Sequence, residues 1–332
     1  MDKIRFAIPK GSLEKTTAEF FSKSGFKIGG TERTYRPSIN DPQVELKVLR
    51  PQEIPVFVSE GLQDLGITGE DWVKENRADV EVLLNLEYGK IRLVIAVPKA
   101  CENDTMGEFM ESIWSQGKNF RISTEYLNIA SEYLKSTPQY KKRFGDAEPM
   151  VVTPWWKKGD NSKAKIFLSF GATEAKPPEN SDAIMDVTET GTTIEANNLK
   201  IIDTVLKSSA ILIANKKAME DPEKREKIHD ILALLKGVVD GSKRIHIFVN
   251  VKKSNLQKLL TELPALKNPT IAPLADDAWV SVNTVIEKDC LIELLPKIRK
   301  VAQGLVVYEP RQVLALDEIA KRVENPCKGK AK

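Results

Sequence analysis

The sequence predicts an α/β protein with mostly parallel strands, and two observations lead to this fold class. Short apolar runs alternate with helical patterns along the first part of the chain, and such alternation is typical of parallel strands joined by helices. The runs that we interpret as strands cover residues 4–8, 44–49, 65–67, 80–86 and 93–97, and the helical patterns cover 13–24 and 104–114. The second observation is a different order of elements near the C-terminus, which predicts a further domain there.

The domain organisation follows from the order of the elements. A second α/β unit is expected after the first five strands. The strand that ends at Asp186 and two more strands, over 199–206 and 210–214, are then expected to return to the first sheet. Because the chain would cross between the two lobes twice, we expect a cleft between them. The predicted lobes are residues 1–100 with 182–220, and residues 101–181.

The C-terminal part begins with a connecting helix over 221–240, since Asp221 is suited to the N-cap and Pro222 to the first helical position. Residues 241–313 predict a ferredoxin-like βαββαβ domain. No catalytic set of residues stands out in it, so a structural or oligomerising module is the simplest interpretation of the pattern. Residues 314–332 are expected to form a C-terminal helix and a basic tail that frays. The predicted strands of the domain cover 245–251, 270–272, 279–287 and 305–308, and its helices cover 254–263 and 289–302.

Composition excludes several classes of protein. The 332 residues are enough for two or three domains, and 41% hydrophobic with 29% charged residues is usual for a soluble protein. The formal net charge of +3 is mild and the lysines are spread along the chain, which favours small anionic ligands over nucleic acid. No apolar run is long enough to span a membrane, and a signal-peptide pattern is missing. We therefore expect a cytoplasmic protein without a nucleic-acid or membrane partner.

The cysteines indicate neither a disulfide framework nor a zinc site. Cys101, Cys290 and Cys327 are far apart and form no CxxC pair. A metal held by side chains is therefore not expected.

One segment, residues 137–163, mixes basic and aromatic residues without a clear function. Lys141 to Arg143 precede Trp155 and Trp156, a mixture that single-strand nucleic-acid binders use. A short solvated loop over a packed Trp pair explains the segment more simply.

Residues 182–199 contain the strongest functional signal. An apolar run ends at Asp186, a Thr-Gly-Thr-Thr turn follows over 190–193, and good helix formers come next. The first N–H groups of a helix lack internal partners and the helix dipole favours anions there, so the turn is suited to a phosphate, with Gly191 permitting close approach. An ordinary helix capped by a threonine fits the same residues.

A second acid follows another predicted strand. Glu174 comes after the apolar run 166–170, so Glu174 and Asp186 end two candidate strands of one sheet. Carboxylates accept hydrogen bonds from sugar hydroxyls. A phosphate loop beside two such acids suggests a sugar phosphate as the ligand.

The motifs around these acids resemble those of ATP phosphoribosyltransferase, the first enzyme of histidine biosynthesis. GATEAKPP is followed by DAIMDVTETGTTIEANNL, and further blocks resemble the family in the same order. These blocks are FAIPKGSL at 6–13, LRPQEIPVFVSEGLQDLGITGEDWV at 49–73, RISTEY at 121–126 and PTIAPLADDAWVSV at 269–282. The resemblance therefore extends over most of the chain.

The resemblance implies a reaction that joins N1 of the adenine of ATP to C1 of phosphoribosyl pyrophosphate and releases pyrophosphate. The implied cofactor is Mg²⁺, held mainly by substrate oxygens and water. The two histidines, His229 and His246, lie in or beside the C-terminal domain, so a histidine acid or nucleophile in the cleft is not expected. This glycosyl transfer can rest on positioning and on charge stabilisation.

The resemblance also implies roles for individual residues. Asp186 and Glu174 are the implied catalytic acids near the ribose hydroxyls. The implied 5-phosphate loop consists of Thr190, Gly191, Thr192 and Thr193. The residues implied to bind ATP are Lys10, Gly11, Arg50, Thr124 and Tyr126, although Leu127 stands where the family usually has proline.

The implied fold is a two-lobed core like that of type II periplasmic binding proteins, followed by an ACT-like regulatory domain as in the long form of the family. This domain is implied to sense histidine as an inhibitor. The implied effector positions are Asn250 and Thr270, with Leu266 and Asn268 nearby. The implied oligomers are dimers that assemble into hexamers.

Two other functions remain open from the sequence. Prephenate dehydratase has a similar domain plan, but its TRDxT-type block is missing here. A non-enzymatic small-molecule sensor would have no need for Glu174, Asp186 and a phosphate turn together.

Overall fold

The computed structural model describes residues 2–30, 34–264 and 269–314. The chain divides into two compact units. The first unit comprises residues 5–14 and 47–218, and the second comprises the described parts of 1–4, 15–46 and 219–332. Every residue with an implied catalytic or substrate-binding role lies in the first unit.

The elements follow the chain from a strand at the N-terminus to a strand near residue 308. Up to residue 100 they are β1 (Ile4–Pro9), α1 (Glu14–Ser24), β2 (Ile28–Gly29), β3 (Ser38–Ile39), β4 (Val44–Leu49), α2 (Ile54–Ser59), β5 (Leu65–Gly69), α3 (Glu70–Asn76), β6 (Glu81–Asn85) and β7 (Ile91–Pro98). Up to residue 200 they are α4 (Met106–Ser115), β8 (Phe120–Thr124), α5 (Leu127–Ser136), α6 (Pro138–Phe144), β9 (Pro149–Val152), β10 (Lys157–Lys158), β11 (Asn161–Leu168), a 3₁₀ turn (Thr173–Ala175), β12 (Ala183–Thr188) and α7 (Thr192–Ala196). The remaining elements are β13 (Leu199–Ser208), β14 (Ala210–Ala214), α8 (Lys216–Glu220), α9 (Pro222–Ser242), β15 (Arg244–Lys252), a 3₁₀ turn (Lys253–Asn255), α10 (Leu256–Glu262), β16 (Thr270–Pro273), β17 (Trp279–Glu287), α11 (Cys290–Ile298) and β18 (Ala302–Tyr308).

The first large sheet has five strands in the order β4-β1-β5-β14-β6. β1 and β5 are parallel, whereas β14 runs antiparallel to β5 and to β6. All residues of β5 and β14 are buried, as expected for strands that are covered on both faces. A short ribbon of β2 and β3 forms a separate two-stranded sheet.

The second large sheet has seven strands in the order β10-β9-β11-β8-β12-β7-β13. Its middle strands β9, β11, β8 and β12 are parallel, and β10, β7 and β13 are antiparallel to their neighbours. The prediction that the strands ending at Asp186 and covering 199–206 return to the first sheet was therefore wrong, as was the placing of 93–97 there. Only β14 joins the first sheet. An apolar run predicts burial but does not name the pairing partner, and β12 fits between β8 and β7, where Ile184 and Met185 are fully buried.

The chain passes between the two large sheets twice, first through residues 86–90 between β6 and β7 and then through a single residue. β13 ends at Ser208 in the seven-stranded sheet, and β14 begins at Ala210 in the five-stranded sheet. The Ser208 hydroxyl donates to Asp71 Oδ1 at 2.5 Å, and the Ser209 hydroxyl donates to Asn85 Oδ1 at 2.9 Å. The crossing residue Ser209 and the preceding residue Ser208 are therefore both hydrogen-bonded through their side chains.

A buried polar contact joins α3 to the region of α5. The Tyr126 hydroxyl donates to Asp71 Oδ2 at 2.7 Å, and these side chains are 3% and 4% exposed. Glu75, also on α3, accepts from the backbone N–H groups of Asn128 and Ile129 at 2.9 and 3.0 Å, so it satisfies donors in the first turn of α5. Burial raises the pKa of Glu75, although these N–H donors oppose the increase.

The segment 137–163 differs from its prediction. Tyr140 is fully buried, and its hydroxyl donates to Ala147 O at 2.8 Å. Trp155 and Trp156 are 73% and 48% exposed, so the expectation of a packed Trp pair was wrong. The Trp155 ring contacts Phe170 edge to face, with centroids 5.8 Å apart. The sequence pattern did not indicate that Tyr140 is buried whereas Trp155 and Trp156 are exposed.

The long helix α9 begins as predicted. Asp221 is its N-cap and accepts from the N–H groups of Glu223 and Lys224 at 3.0 and 3.1 Å, and Pro222 occupies the first turn. Later in the second unit, the Gln312 amide donates to the backbone oxygens of Ser24 and Leu234.

The C-terminal sheet contains four antiparallel strands in the order β16-β17-β15-β18. The βαββαβ order of elements is as predicted, although the element ends differ by a few residues. Along β15 and β17 every second side chain is buried, and these residues form a core with α10 and α11 around Ile247, Val249 and Val282. Of the predicted C-terminal helix and tail, residues 315–332 lie outside the described residues.

We expect Tyr126→Phe to reduce the free energy of unfolding by about 1–3 kcal/mol, because it removes a donor from the buried Asp71 carboxylate. Urea unfolding followed by circular dichroism measures this change. Tyr308→Phe is the matched control, since Tyr308 is 60% exposed. Equal losses in the two variants would show that the contact between Tyr126 and Asp71 contributes little.

Candidate active site

The candidate site lies at one edge of the seven-stranded sheet. β8 pairs in parallel with both β11 and β12, and Thr124 is level with Leu168 on one side and with Met185 on the other. The carboxyl ends of the three strands therefore meet at the same edge, where ligands bind in open α/β sheets. Glu125, Ser169 and Asp186 come directly after these three level residues.

Asp186 is the most perturbed acid at this edge. Burial raises its pKa to about 6, with nearby negative charge on Glu174 and Glu125 adding to the increase. The Val187 N–H donates to Asp186 Oδ1 at 2.8 Å, and this bond and the nearby Thr173 side chain oppose the increase in pKa. Asp186 therefore changes its charge close to neutral pH.

Glu174 follows β11 and Asp186 lies on β12, so the two acids belong to two strands of one sheet, as predicted, with β8 between them. The charge of Glu174 contributes to the raised pKa of Asp186. Glu174 lies half-buried in the 3₁₀ turn Thr173–Ala175, which follows β11 after a bend at Ala172 (φ 47°). Glu125 was not predicted, although its position directly after Thr124 in the RISTEY block could have indicated it. Three carboxylates thus share one edge of the sheet.

The Thr-Gly-Thr-Thr turn has a different cap from the one that a threonine-capped helix would have. Gly191 is the N-cap of the short helix α7 and has φ 94°, a left-handed conformation that favours glycine. Its N–H donates to Thr188 Oγ1 at 2.8 Å. The hydroxyls of Thr190 and Thr192 lie 2.9 Å apart, and Thr190, Thr192 and Thr193 are all exposed. The turn therefore presents several hydroxyl groups to solvent directly after the strand that contains Asp186.

Lys10, Gly11 and Arg50 meet at the edge of the five-stranded sheet. The Lys10 N–H donates to Leu49 O at 2.8 Å, which brings the end of β1 beside the end of β4. Gly11 has φ 89°, and a Cβ atom there would lie 3.9 Å from Arg50 Nη1. Two cationic side chains are thus held beside a glycine turn.

Thr124 and Tyr126 are placed less favourably for direct ligand contact. Both are buried, and Thr124 Oγ1 accepts from the Tyr126 N–H at 2.9 Å. The Tyr126 hydroxyl is occupied by Asp71, and burial raises the Tyr126 pKa far above its ordinary value. These two side chains hold the turn after β8. Glu125 between them accepts from the Gln52 side-chain amide at 3.5 Å and adds negative charge near Asp186.

The predicted effector residues lie on the C-terminal sheet. Asn250 is half-buried and stands opposite Ser281 on β17, while Thr270 is exposed and stands opposite Asn283. The alternation of buried residues puts Asn250 and Thr270 on the face away from the helices. On that face Asn283 Oδ1 is buried and has no hydrogen-bond partner among the described residues. Leu266 and Asn268 lie outside the described residues.

Across residues 2–30, 34–264 and 269–314, no group of three or more histidine, cysteine, aspartate or glutamate side chains is arranged to hold a metal ion. No helix within the same ranges is long and apolar enough to cross a membrane.

Comparison with known families gives two matches that together cover most of the chain. The family model described as ATP phosphoribosyltransferase matches residues 50–237, and that of the HisG C-terminal domain matches residues 242–311. Curated relatives named ATP phosphoribosyltransferase are similar over nearly their full length. The protein from Solibacter usitatus is 39% identical over 94% of this chain and 99% of its own, and that from Thermodesulfovibrio yellowstonii is 38% identical over the same shares.

A solved structure is similar in fold. It is described as an ATP phosphoribosyl transferase (HisG:HisZ) complex from Thermotoga maritima, with a TM-score of 0.54 and 24% identity. The similarity covers 71% of this chain and 98% of that one.

We expect Asp186→Asn to stabilise the protein at pH 8 but not at pH 4. A folded pKa of about 6 against the ordinary 3.8 means that ionising Asp186 disfavours the folded state, so stability is lost as pH rises through 6. This difference in pKa corresponds to at most roughly 3 kcal/mol. Urea unfolding at the two pH values measures the gain, with Glu195→Gln, an exposed acid of α7, as control. A gain of equal size at both pH values would contradict the assignment of the titration to Asp186.

Proposed function

The chain belongs to the ATP phosphoribosyltransferase family, which carries out the first step of histidine biosynthesis, and we propose that it joins N1 of the adenine of ATP to C1 of phosphoribosyl pyrophosphate with release of pyrophosphate. One observation carries this chemistry. Asp186, with Glu174 beside it, lies on the strand that runs directly into the exposed Thr-Gly-Thr-Thr turn. We propose that the ribose of the substrate lies at the acids and its 5-phosphate at the turn.

The turn is the proposed site for the 5-phosphate. The hydroxyls of Thr190 and Thr192 now bond to each other at 2.9 Å, and both can donate to phosphate oxygens instead. Gly191 and its left-handed conformation leave room for the phosphate to approach the backbone. Thr193 adds a third hydroxyl.

The acids are proposed to act on the ribose. As the bond from C1 to pyrophosphate breaks and the bond from C1 to adenine N1 forms, positive charge develops on the ribose ring. Ionised Asp186 and Glu174 stabilise this charge and accept hydrogen bonds from the ribose hydroxyls. Because adenine N1 is itself a nucleophile, no side chain has to form a covalent intermediate.

Mg²⁺ is proposed to enter with the pyrophosphate group as part of the substrate. Mg²⁺ commonly keeps several waters and binds substrate phosphates rather than an all-protein cage. The described residues fit this role, since they provide carboxylates near the sugar and no preformed side-chain cage. The ion neutralises the leaving group.

Lys10, Gly11 and Arg50 are proposed to bind the phosphates of ATP. The guanidinium group of Arg50 and the Lys10 ammonium group attract the triphosphate, and the turn at Gly11 lets it approach the backbone. Thr124 and Tyr126 are proposed to contribute to ATP binding indirectly, by holding the turn after β8.

We propose that the two large sheets are the lobes of a core similar to type II periplasmic binding proteins. We also propose that the four-stranded domain is an ACT-like regulatory module that binds histidine through Asn250 and Thr270. We further propose that the protein assembles through dimers into hexamers and that it is cytoplasmic. Family membership argues against a prephenate dehydratase or a non-enzymatic sensor.

The proposed reaction is tested by the near-ultraviolet absorbance of adenine, which changes on N1 substitution. We expect a change that requires ATP, phosphoribosyl pyrophosphate and Mg²⁺ together. Asp186→Asn should lower kcat/KM by about 100-fold or more, since it removes a charge that acts in the transition state. Glu195→Gln should retain the wild-type rate. Full activity in Asp186→Asn would remove this residue from the catalytic site, and a flat trace with the folded wild-type protein would overturn the proposed reaction.

The proposed regulation is tested with Asn250→Ala. Losing one hydrogen bond to histidine should raise the histidine concentration for half-inhibition about tenfold, while kcat without histidine stays unchanged. Gln257→Ala, on an exposed position of α10, is the control. Unchanged inhibition in Asn250→Ala would place the effector elsewhere.

A further inference from the structure

We propose that the exposed rings of Trp155 and Phe170, which we call the aromatic pair, form a platform on which the adenine of ATP packs. This inference rests on the proposed function, because it assigns residues that position one of the proposed substrates. The two rings contact each other edge to face, with centroids 5.8 Å apart, and they are 73% and 69% exposed. Such a pair offers large apolar surfaces that a planar base can cover.

The aromatic pair lies at the same edge of the seven-stranded sheet as the acids. Phe170 comes directly after Ser169, whose N–H donates to Thr124 O at 2.9 Å at the end of β8. Trp155 lies in the turn after β9, and β9 runs parallel to β11. Because parallel strands end at the same edge of a sheet, the pair and the carboxylates of the candidate site share that edge.

The spacing of the strands suits a nucleoside. In the sheet order, β8 is the strand between β11, which leads to Phe170, and β12, which contains Asp186. Neighbouring strands lie about 4.8 Å apart, so β11 and β12 are about 10 Å apart. In the proposed reaction the ribose lies at Asp186 and adenine becomes bonded to its C1. A base that extends from this ribose across the end of β8 reaches the aromatic pair.

The charges at this edge favour the base of ATP over its phosphates. Glu125, Glu174 and Asp186 place three carboxylates here, and the faces of aromatic rings also carry negative potential. The triphosphate is proposed to lie at the cationic side chains of Lys10 and Arg50. The uncharged, planar adenine is therefore the part of ATP that suits the aromatic pair.

The backbone positions of Trp155 and Phe170 are fixed without a ligand. Thr153 Oγ1 accepts from the N–H groups of Trp155 and Trp156 at 3.3 and 3.0 Å. The Thr153 N–H also donates to Trp156 O at 2.9 Å, which closes the turn. Phe170 lies between the bond that ties the end of β11 to β8 and Gly171, where the chain turns with a φ of 94°. A platform that is fixed in advance loses little conformational freedom when the base binds.

A protein interface explains the aromatic pair less well. Stable interfaces bury about 800 Å² on each partner, whereas the chain continues from this turn into the charged, exposed Lys157 and Lys158. The side chain of Trp156 does not extend the pair, because it lines a cavity with Asn128 and Val151 to which the pair does not contribute. The pair is thus a small apolar area that suits a single ring system.

The kinetic test compares Trp155→Ala with Trp156→Ala in the full-length protein. Trp155→Ala should raise the KM for ATP about tenfold, since stacking of a base on one aromatic side chain contributes about that factor. The KM for phosphoribosyl pyrophosphate should stay unchanged. Trp155→Phe keeps an aromatic ring and should retain most of the affinity, and Phe170→Ala should act in the same direction as Trp155→Ala. Trp156→Ala, at the adjacent exposed position, is the matched control and should behave as the wild type.

Equilibrium binding tests the inference without turnover. Inorganic tripolyphosphate has the phosphates of ATP without its base, and calorimetric titration in the presence of Mg²⁺ compares the two ligands. Trp155→Ala should weaken ATP binding about tenfold and leave tripolyphosphate binding unchanged. Equal weakening of both ligands would show that the ring does not hold the base. A changed oligomeric state with unchanged ATP binding would make the pair an interface between copies of the chain instead.

The outcomes separate this inference from the proposed reaction. If the wild type makes product and Trp155→Ala keeps the wild-type KM for ATP, the platform is wrong while the reaction stands. If the wild type makes no product but its binding of ATP depends on Trp155, the reaction is wrong and the platform stands as a nucleotide site. A folded wild type that neither makes product nor binds ATP would overturn both.

Discussion

The parallel pairing of β8 with β11 and β12 is the constraint on which the candidate active site depends. It sets Thr124 level with Leu168 and Met185, so that the residues following them meet at one edge. Glu125, the Ser169–Lys176 stretch and Asp186 are distant in sequence, yet the register alone brings them together. A shift of β12 by one residue would turn Asp186 to the other face of the sheet.

The acids of the first unit lie in two different electrostatic environments. Asp71 is buried with Tyr126 and Ser208 as donors, and Glu75 is buried against the N–H groups of α5, so both serve the fold. Asp186 is half-buried, and Glu174 and Glu125 add negative charge near it. Ionised Asp186 therefore lowers the stability of the fold at the place where the proposed chemistry needs a carboxylate, which is common at functional sites.

The local features of this site could be predicted from the sequence, whereas its long-range pairings could not. The run ending at Asp186, the Thr-Gly-Thr-Thr turn and the capped start of α9 each depend on neighbouring residues. The sheet that β7, β12 and β13 join depends on which distant strand fits beside them, and apolar runs carry no such information. Thr124 and Tyr126 appear in a motif that suggested ligand contact, but their side chains are used by the buried turn after β8.

The one-residue crossing at Ser209 has a mechanical consequence. The Ser208 hydroxyl donates to Asp71 on α3, and the Ser209 hydroxyl donates to Asn85 on β6. Because this connection is a single residue, one sheet can rotate only slightly here before the other must move with it. The other connection between the two sheets, residues 86–90 between β6 and β7, is longer, so the crossing at Ser209 is the one that limits more strongly how far the two sheets can move apart.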